Sequence, residues 1–544
     1  AISLKPDYVE AFNNMGLVFQ DQGKLEEATK VFNKAISIKP DFAEAYNKLG
    51  NALKEQGQLE EAIEAYQKAS ALKPDFYHSY SSYLHQAAIM CDWQNFETSP
   101  LTNYLAKSTS DKIKYPMAVF PFLHLYPQPD IQLRLSKLFS TNAFKKDRLL
   151  PIIKRPKLRP EKLRIGYFSP DFKDHPVAQM IESVFRHHDR SKFEIFAYSF
   201  GKSLDGLMHQ KIVNASDTFR DVQSKSAQNI ALLAREDNID IAIDLAGYTK
   251  NSKSEIFYQR TAPIQINYLG YPGTMGTDFM DYIIADKTLI PWEMESHYSE
   301  KIIFMPDSYQ PINDELEILE DTPPRQELGL PQSAFVFCAI NQAYKIKPKE
   351  FEIWMRLLSR VKDSVLWLKN QNKWMVENLQ SEAHKRGIEP SRLIFAERIA
   401  HEQYLAQFKQ ADLYLDTFNY NAGTTASDVL MAGLPVVTKM GDTYASRMAA
   451  SLLNAAGMRE LITKTAKEYE DLALELALNS RKLRKIRERL QKKLKTAPIL
   501  NAELYTRNLE AGYQQAYDNY YYLNSVRNID VTPGQSSEYT EVPK

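Results

Sequence analysis

Hydrophobic and polar positions divide the chain into a helical part and a part in which strands alternate with helices. In the first 76 residues, apolar and small side chains recur at helical spacing. From Lys162 onwards, apolar runs of five or six residues alternate with amphipathic stretches. Runs of that kind are typical of parallel sheets whose strands are buried on both faces, so we predict an α/β body.

The helical part carries an internal repeat. Lys-Pro-Asp-aromatic recurs from Lys5, Lys39 and Lys73, so the period is 34 residues. Small residues recur with the same period, and the pattern is that of tetratricopeptide repeats, with two helices per unit. We therefore predict a tetratricopeptide solenoid over residues 1–76. Because AISLKP at the start mirrors AISIKP at 35–40, we expect further repeats before residue 1 in a longer protein.

Three asparagines fall on the first helices of these repeats. First helices usually line the concave groove of such a solenoid, and the amides of Asn13, Asn14 and Asn47 could hold an extended peptide there. The alternative interpretation is a solvated polar face.

Composition narrows the class of protein. Of the 544 residues, Lys+Arg and Asp+Glu each account for 68, so zero net charge argues against bulk attraction to nucleic acid or an anionic membrane. Two distant cysteines indicate no disulfide framework and favour the reducing cytoplasm. No signal peptide and no run of 18 apolar residues is found, so we expect no membrane span.

The remaining boundaries follow from changes in pattern and from proline-rich stretches. We predict a helical connector over 77–160, Rossmann-like domains over 161–320 and 321–527, and a disordered tail over 528–544.

The stretch from Asp416 to Gly441 has the layout of a phosphate site. A buried strand, ADLYLD, is followed by a polar loop that ends at Gly423, and Thr424 and Thr425 then open a short helix. The first N–H groups of a helix and its dipole favour an anion. Asp428, one turn further, is placed to accept hydrogen bonds from a ribose. The alternative is an ordinary capped helix.

Other polar residues of the second domain also follow strands. Gln342 and Lys345 come after FVFCAI, and His401 and Tyr404 come after RLIFA. Carboxyl ends of parallel strands share one edge of a sheet, so we expect these groups to converge there. A lysine in that position can neutralise a diphosphate, although an exposed loop lysine is the commoner case.

In the first domain, two loops after strands are candidates. His175 ends the loop SPDFKDHP and is either a surface or capping residue or a polar group facing a cleft. The second loop contains glycines suited to close approach of a ligand. Its candidate residues are Gly270, Tyr271, Pro272, Gly273 and Thr274.

Several motifs together resemble one family over nearly the whole chain. They are LRIGYFSPDFKDHP, LGYPGTMGTDFMDYII, INQAYKIKP, ADLYLDTFNYNAGTTASDVLMAGLPVVT and GDTYASRMAASLL. With the preceding repeats, they resemble the nucleocytoplasmic protein O-GlcNAc transferases and their SPINDLY-type relatives. The resemblance implies two Rossmann-like domains of the B-type glycosyltransferase fold. It also implies an inverting, metal-independent and cofactor-free transfer of GlcNAc from UDP-GlcNAc to Ser or Thr of intracellular proteins.

The resemblance also implies roles for individual residues. Lys345 and the helix start at Thr424 and Thr425 would stabilise the leaving diphosphate, with support from Gln342. Asp428 would hold the ribose. His175 would line the cleft for the sugar and the acceptor, and the resemblance does not identify it as a general base.

The chain departs from the family at the nucleotide site. Gly423 stands where the family has a histidine, Tyr404 replaces the histidine that stacks on the base, and His401 replaces a lysine near the ribose. Tyr404 can still stack on a base. The base is therefore open, and GDP-fucose, the donor of the SPINDLY side, remains the main alternative to UDP-GlcNAc. A non-catalytic repeat scaffold and a nucleotide-sugar epimerase are the other hypotheses.

Overall fold

A computed structural model describes residues 5–94, 117–144, 150–202, 206–315, 322–397, 399 and 401–532 of the chain. They form two compact units. The first comprises the described residues of Ala1–Pro121 with Gln342–Pro348 and Gln371–Leu379. The second comprises those of Phe122–Asn341, Lys349–Asn370 and Gln380–Lys544. Within the described ranges, no helix has the length and apolar character that crossing a bilayer requires.

The first unit is built from antiparallel helix pairs. Its helices are α1 (Val9–Asp21), α2 (Leu25–Ile38), α3 (Ala43–Glu55), α4 (Leu59–Leu72) and α5 (Tyr77–Ile89). Gly16 packs on the ring of Phe32, and Gly50 packs on Tyr66 one repeat later, where a Cβ atom would overlap each ring. Glycine is needed at both positions because the paired helices approach closely, and the predicted tetratricopeptide pattern is confirmed.

The regular stacking of helices continues beyond residue 76, where we predicted the repeats to end. The hydroxyl of Ser79 on α5 donates a hydrogen bond of 2.7 Å to Oδ1 of Asn47 on α3. Phe76, just before α5, is buried in a cluster with Ala43 and Ala69. The helix after the third Lys-Pro-Asp-Phe therefore packs as the first helix of a further repeat.

The second unit begins with helices α6 (Phe120–Leu125), part of which belongs to the first unit, and α7 (Pro129–Ala143). A parallel sheet follows, with strands β1 (Leu163–Ser169), β2 (Phe193–Ser199), β3 (Thr218–Asp221), β4 (Ile241–Asp244), β5 (Ile264–Asn267), β6 (Tyr282–Asp286) and β7 (Lys301–Met305). Their spatial order is β7-β6-β5-β4-β1-β2-β3. The intervening helices are α8 (Pro176–His187), α9 (Leu207–Asn214), α10 (Ala227–Glu236) and α11 (Glu255–Tyr258).

A second parallel sheet follows along the chain. Its strands are β8 (Phe335–Ala339), β9 (Ser364–Lys369), β10 (Leu393–Ala396), β11 (Leu413–Leu415), β12 (Val436–Lys439) and β13 (Ile462–Thr463), in the order β10-β9-β8-β11-β12-β13. The helices are α12 (Pro348–Arg360), α13 (Lys373–Lys385), α14 (His401–Gln407), α15 (Thr424–Met431), α16 (Met448–Ala455), α17 (Ala466–Leu478) and α18 (Ser480–Leu494). We call the part of the second unit around the first sheet the first lobe, and the part around this sheet the second lobe.

The end of the chain returns to the first lobe. Helix α19 (Ala502–Leu523) buries an apolar face, which includes Leu509 and Tyr513, in the core of the first sheet. Strand β14 (Ile529–Asp530) then pairs in parallel with β7, beside a hydrogen bond of 2.9 Å from the Ile302 N–H to Oδ1 of Asn528. Our predictions that 321–527 forms one domain and that disorder begins at 528 are therefore corrected. Residues 533–544 of the predicted tail lie outside the described residues.

Candidate functional site

The loop that leads into α15 is organised by a buried carboxylate. Oδ1 of Asp416 accepts hydrogen bonds from the N–H groups of Thr417, at 2.9 Å, and Ala422, at 2.8 Å. Its Oδ2 accepts one from the hydroxyl of Thr438 on β12, at 2.6 Å. A buried charge needs such partners. Asp416 therefore fixes the path from β11 to the start of α15.

Helix α15 begins with unsatisfied donors. Its N-cap is Gly423, which has no side chain to accept from the first turn. The N–H groups of Ala426 and Ser427 bond to the carbonyl of Gly423, at 2.9 and 3.2 Å. Those of Thr424 and Thr425 find no partner among the described residues. Two free N–H groups at a helix N-terminus form a site for an anion.

Tyr404, Thr425 and Asp428 lie together beside this terminus. The hydroxyl of Tyr404 on α14 hydrogen-bonds the side chain of Thr425 and lies near the carboxylate of Asp428. Asp428 is half-buried, and burial raises the pKa of its carboxyl to about 7. Burial also raises the pKa of Tyr404 well above its ordinary value, so its hydroxyl stays protonated. His401 is the first residue of α14. Of the residues that we predicted to converge at the sheet edge, Tyr404 and Thr425 are thus in contact.

The N-terminus of α8 lies after β1 in the first lobe. His175 is its N-cap, and Nδ1 accepts a hydrogen bond of 3.3 Å from the N–H of Val177. The carboxylate of Asp171 lies 3.8 Å from the same ring nitrogen. Burial lowers the pKa of His175, and Asp171 partly opposes the shift. The ring is therefore neutral at pH 7, and because Nδ1 accepts, Nε2 carries its proton.

Helices α8 and α15 meet across the two lobes. The hydroxyl of Thr424 lies 3.5 Å from Sδ of Met180 on α8. One turn into α15, the hydroxyl of Ser427 accepts a hydrogen bond of 3.2 Å from Nε2 of Gln310 in the first lobe. The helix that His175 caps and the helix that Thr424 opens therefore face each other.

A buried contact holds the lobes together nearby. The carboxylate of Asp286, at the end of β6, accepts hydrogen bonds from the N–H groups of Thr288 and Leu289 and from that of Tyr309. The hydroxyl of Ser451 on α16 also donates to it. Arg447 adds a hydrogen bond of 2.6 Å from Nε to the carbonyl of Thr288. The run GDTYASRMAASLL thus docks the second lobe onto the first.

The glycine-rich loop after β5 approaches protein groups closely. A Cβ at Gly270 would overlap the carbonyl of Leu245, and one at Gly276 would overlap the backbone of α7 at Lys137. Thr274 donates a hydrogen bond of 2.6 Å to buried Glu300. Tyr271, Pro272 and Gly273 are also buried. Glycine at 270 and 276 thus allows tight packing within the protein, and the close approach of this loop to a ligand stays a prediction.

Gln342 and Lys345 belong to the first unit and are described with it. Oε1 of Gln342 accepts a hydrogen bond of 2.7 Å from Nε2 of Gln371, whose Oε1 accepts from the Ala343 N–H, also at 2.7 Å. Lys345 ends the short 3-10 helix Ala343–Lys345 and is buried, at 7% exposure. It is therefore not the exposed loop lysine of the alternative interpretation.

The asparagines of the repeats differ in exposure. Asn14 is exposed and Asn13 is half-buried on α1. Asn47 is 2% exposed and uses its carbonyl for Ser79. Asn47 therefore joins neighbouring repeats, which corrects our prediction that it lines a peptide groove.

Sequence reasoning missed Tyr309 and Met180. Tyr309 follows β7 and is 2% exposed, and its hydroxyl lies 3.3 Å from the point that a Cβ of residue 423 would occupy. The rule used for the other candidates, a polar group after a parallel strand, also applies to Tyr309. Met180 has no such signal, because a methionine on an amphipathic helix is ordinary core material.

Family models match both parts of the chain. The model for glycosyl transferase family 41 matches residues 144–323 and 318–509. Models for the TPR repeat and the tetratricopeptide repeat match 20–57 and 43–76.

Curated relatives match about two thirds of the chain. The chain is 35% identical over 360 residues to the probable UDP-N-acetylglucosamine–peptide N-acetylglucosaminyltransferase SEC of Arabidopsis thaliana, covering 65% of this chain and 37% of the relative. It is 30% identical over 372 residues to the probable UDP-N-acetylglucosamine–peptide N-acetylglucosaminyltransferase SPINDLY of Oryza sativa subsp. japonica, covering 67% and 40%. The matches therefore span about two fifths of these relatives' length.

A solved structure matches nearly the whole chain. A mutant of the Thermobaculum terrenum O-GlcNAc transferase superposes with a TM-score of 0.72 at 26% identity, covering 96% of this chain and 93% of the other. The predicted architecture, helical repeats followed by two Rossmann-like domains of the B-type glycosyltransferase fold, is confirmed.

Proposed function

The chain belongs to glycosyl transferase family 41, and we propose that it transfers GlcNAc from UDP-GlcNAc to Ser or Thr of acceptor proteins. The reaction inverts the anomeric centre and uses neither a metal ion nor a cofactor. The observation that carries the proposal is the start of α15, where the N–H groups of Thr424 and Thr425 are unpartnered among the described residues. A nucleotide diphosphate is an anion suited to this terminus.

The ribose of the donor is assigned to Asp428. Its carboxyl is half-buried, and its pKa of about 7 reflects burial without compensating hydrogen bonds. Two ribose hydroxyls would supply such hydrogen bonds and favour the ionised form. Tyr404 supports the neighbouring turn through Thr425, and a base can stack beside α14 on Tyr404.

The transfer places its largest charge change on the diphosphate. The oxygen of the acceptor hydroxyl attacks the anomeric carbon, and the bond from that carbon to the diphosphate oxygen breaks. The diphosphate leaves with the bonding electrons, and the hydroxyl proton passes to a base or to solvent. Donors fixed where negative charge grows lower the barrier. We assign this role to Lys345 and to the start of α15, with Gln342 in support.

His175 is assigned to the cleft as a hydrogen-bond donor. Because its Nδ1 accepts from the N–H of Val177, the neutral ring offers Nε2–H to an oxygen of the sugar or the acceptor. In this tautomer the ring cannot take the acceptor's proton through Nε2. His175 therefore orients and stabilises an oxygen, and the general base is another group or solvent.

Acceptor proteins are assigned to the tetratricopeptide groove. Asn14 is exposed and Asn13 is half-buried on α1, and their amides can hold the backbone of an extended segment. We assign the reaction to the cytoplasm. Cys91 and Cys338 are buried and form no disulfide within the described residues, which is consistent with a reducing compartment.

GDP-fucose is the second candidate donor. Gly423 supports it, because the absence of a side chain at this position is a feature of the SPINDLY side of the resemblance. UDP-GlcNAc remains the first choice, because the segment from Asp428 onward resembles the GlcNAc side.

Calorimetric titration of the protein with UDP and with GDP tests the donor assignment, and the exposed Lys349 provides a matched control. We expect tight UDP binding that Lys345→Ala weakens about tenfold or more and Lys349→Ala leaves unchanged. Mass spectrometry of an acceptor protein with UDP-GlcNAc should then show the sugar increment. Preference for GDP would move the assignment to fucosyl transfer. Binding of neither nucleotide would favour the scaffold hypothesis.

A further inference from the structure

Tyr309 is held rigidly by its backbone and its ring. Its N–H donates a hydrogen bond of 3.0 Å to Asp286, and its carbonyl accepts one of 2.7 Å from the hydroxyl of Tyr505. The ring packs edge-to-face on Tyr444, with 5.6 Å between centroids. The position of its hydroxyl is therefore fixed before any ligand binds.

This hydroxyl has no hydrogen-bond partner among the described residues, although only 2% of the residue is exposed. The adjacent tyrosines differ. The hydroxyl of Tyr444 donates to the carbonyl of Ile284 at 3.2 Å. The hydroxyl of Tyr505 donates to the backbone carbonyl of Tyr309. The hydroxyl oxygen of Tyr309 is not among the fully enclosed side-chain atoms that lack a partner, so the small exposed part of this residue includes it. The hydroxyl therefore opens onto space that water or a ligand can enter.

The hydroxyl points at the start of α15. It lies 3.3 Å from the position that a Cβ of Gly423 would occupy, and Gly423 is the N-cap of that helix. Any larger side chain at 423 would cover it. The next two residues, Thr424 and Thr425, carry the unpartnered N–H groups. Three donors that have no acceptor among the described residues therefore lie at one helix terminus.

We propose that the hydroxyl of Tyr309 donates a hydrogen bond to the terminal phosphate of the nucleotide diphosphate, in the space that Gly423 leaves open. The proposal rests on the proposed function and names a specificity-determining residue for it. Burial raises the pKa of Tyr309 well above its ordinary value, so the hydroxyl remains a donor at every working pH. Nucleotides that lack the second phosphate cannot make this contact.

The test compares Tyr309→Phe with Tyr444→Phe. Each change removes one hydroxyl from the same packed pair and keeps the ring. Calorimetry with UDP and with UMP measures binding, and thermal unfolding measures stability. We expect Tyr309→Phe to weaken UDP binding about tenfold, because a hydrogen bond to a charged group is lost. It should leave UMP binding and Tm unchanged. Tyr444→Phe should lower Tm, because the hydroxyl of Tyr444 bonds to the carbonyl of Ile284 within the protein. It should leave UDP binding unchanged.

The outcomes separate this inference from the function on which it rests. If the unaltered protein prefers GDP, the same comparison is made with GDP and GMP. If it binds UDP and Tyr309→Phe binds equally well, the inference is wrong and the donor site stands. If Tyr309→Phe weakens UDP and UMP alike, the hydroxyl does not serve the second phosphate and the inference is again overturned. If the unaltered protein binds neither UDP nor GDP, the proposed function fails as well.

Discussion

The hydroxyl of Thr424 lies 3.5 Å from the sulfur of Met180. This contact joins the first turn of α15 in the second lobe to α8 in the first lobe. His175 caps α8, so the residue that we assign to the acceptor side and the helix that we assign to the diphosphate belong to facing elements. A ligand at the start of α15 would therefore lie beside the first lobe.

Thr424→Val tests whether this hydroxyl serves the ligand. The change keeps the branched shape and removes a group whose protein contact is a weak one to sulfur. We expect UDP affinity to fall about fivefold, because a hydrogen bond to phosphate is lost, while Tm stays unchanged. Calorimetry and thermal unfolding measure the two effects.

Thr29→Val is the matched control, because the Thr29 hydroxyl bonds to the carbonyl of Glu26 in its own helix. It should leave UDP affinity unchanged. Unaltered affinity in Thr424→Val would limit the diphosphate contacts of this residue to its backbone.

Most of the fold follows from local patterns in the sequence. The 34-residue spacing from Lys5 to Lys39 predicts the repeats, because each unit must place small residues where its helices touch. Buried apolar runs predict both parallel sheets. The return of α19 and β14 to the first sheet was missed, because local periodicity shows that a helix has an apolar face but not which core covers that face.

The candidate site was predicted where a strand end supplies a polar side chain. Thr424 and Asp428 are of this kind, and their position at a helix start needs no tertiary information. Asn47 was misassigned, because helical spacing cannot distinguish a groove from the contact with the next repeat. Met180 was missed since its proximity to Thr424 exists only after two distant lobes pack together.

His175→Asn separates capping from a role in transfer. Asparagine is a good N-cap, so Asn should preserve α8, whereas His175→Ala should destabilise the protein by about 1 kcal/mol. Both variants lose the ring Nε2–H, and we expect transfer to fall at least tenfold, roughly the effect of removing one positioned donor. Thermal unfolding and initial rates with UDP-GlcNAc measure the two effects. A full transfer rate in His175→Asn would leave His175 as a cap alone.

Gly276→Ala tests the packing role of the glycine-rich loop. Gly276 has a φ of +63°, and an added Cβ would overlap the backbone of α7 at Lys137. We expect the free energy of unfolding to fall by more than about 2 kcal/mol, through strain and overlap together. Urea denaturation measures it.

Gly387→Ala is the control, because its φ is +73° and nothing lies within 4 Å of the added Cβ. Its cost should be about 1 kcal/mol, from the backbone alone. Equal losses in the two variants would show that the loop can move away from α7.

Asp428→Asn tests the ribose assignment through pH. Burial raises the pKa of Asp428 from its ordinary value of 3.8 to about 7. Between the two pKa values, the folded protein binds more protons than the unfolded chain. This carboxyl therefore lowers the free energy of unfolding as the pH rises towards 7. The neutral amide avoids that penalty, and we expect Asp428→Asn to raise Tm at about pH 8 but not at about pH 3, where both states are largely protonated.

Ligand binding should show the opposite dependence on pH. A ribose donates to the ionised carboxylate, so UDP affinity of the unaltered protein should rise about tenfold between about pH 6 and about pH 8, as a group with a pKa near 7 ionises. The terminal phosphate of UDP itself titrates near pH 6, and Asp428→Asn retains that contribution. The difference between the two calorimetric profiles therefore isolates Asp428. Parallel profiles would mean that the ribose hydroxyls bind elsewhere, and a steeper rise in the unaltered protein alone would place them at this carboxylate.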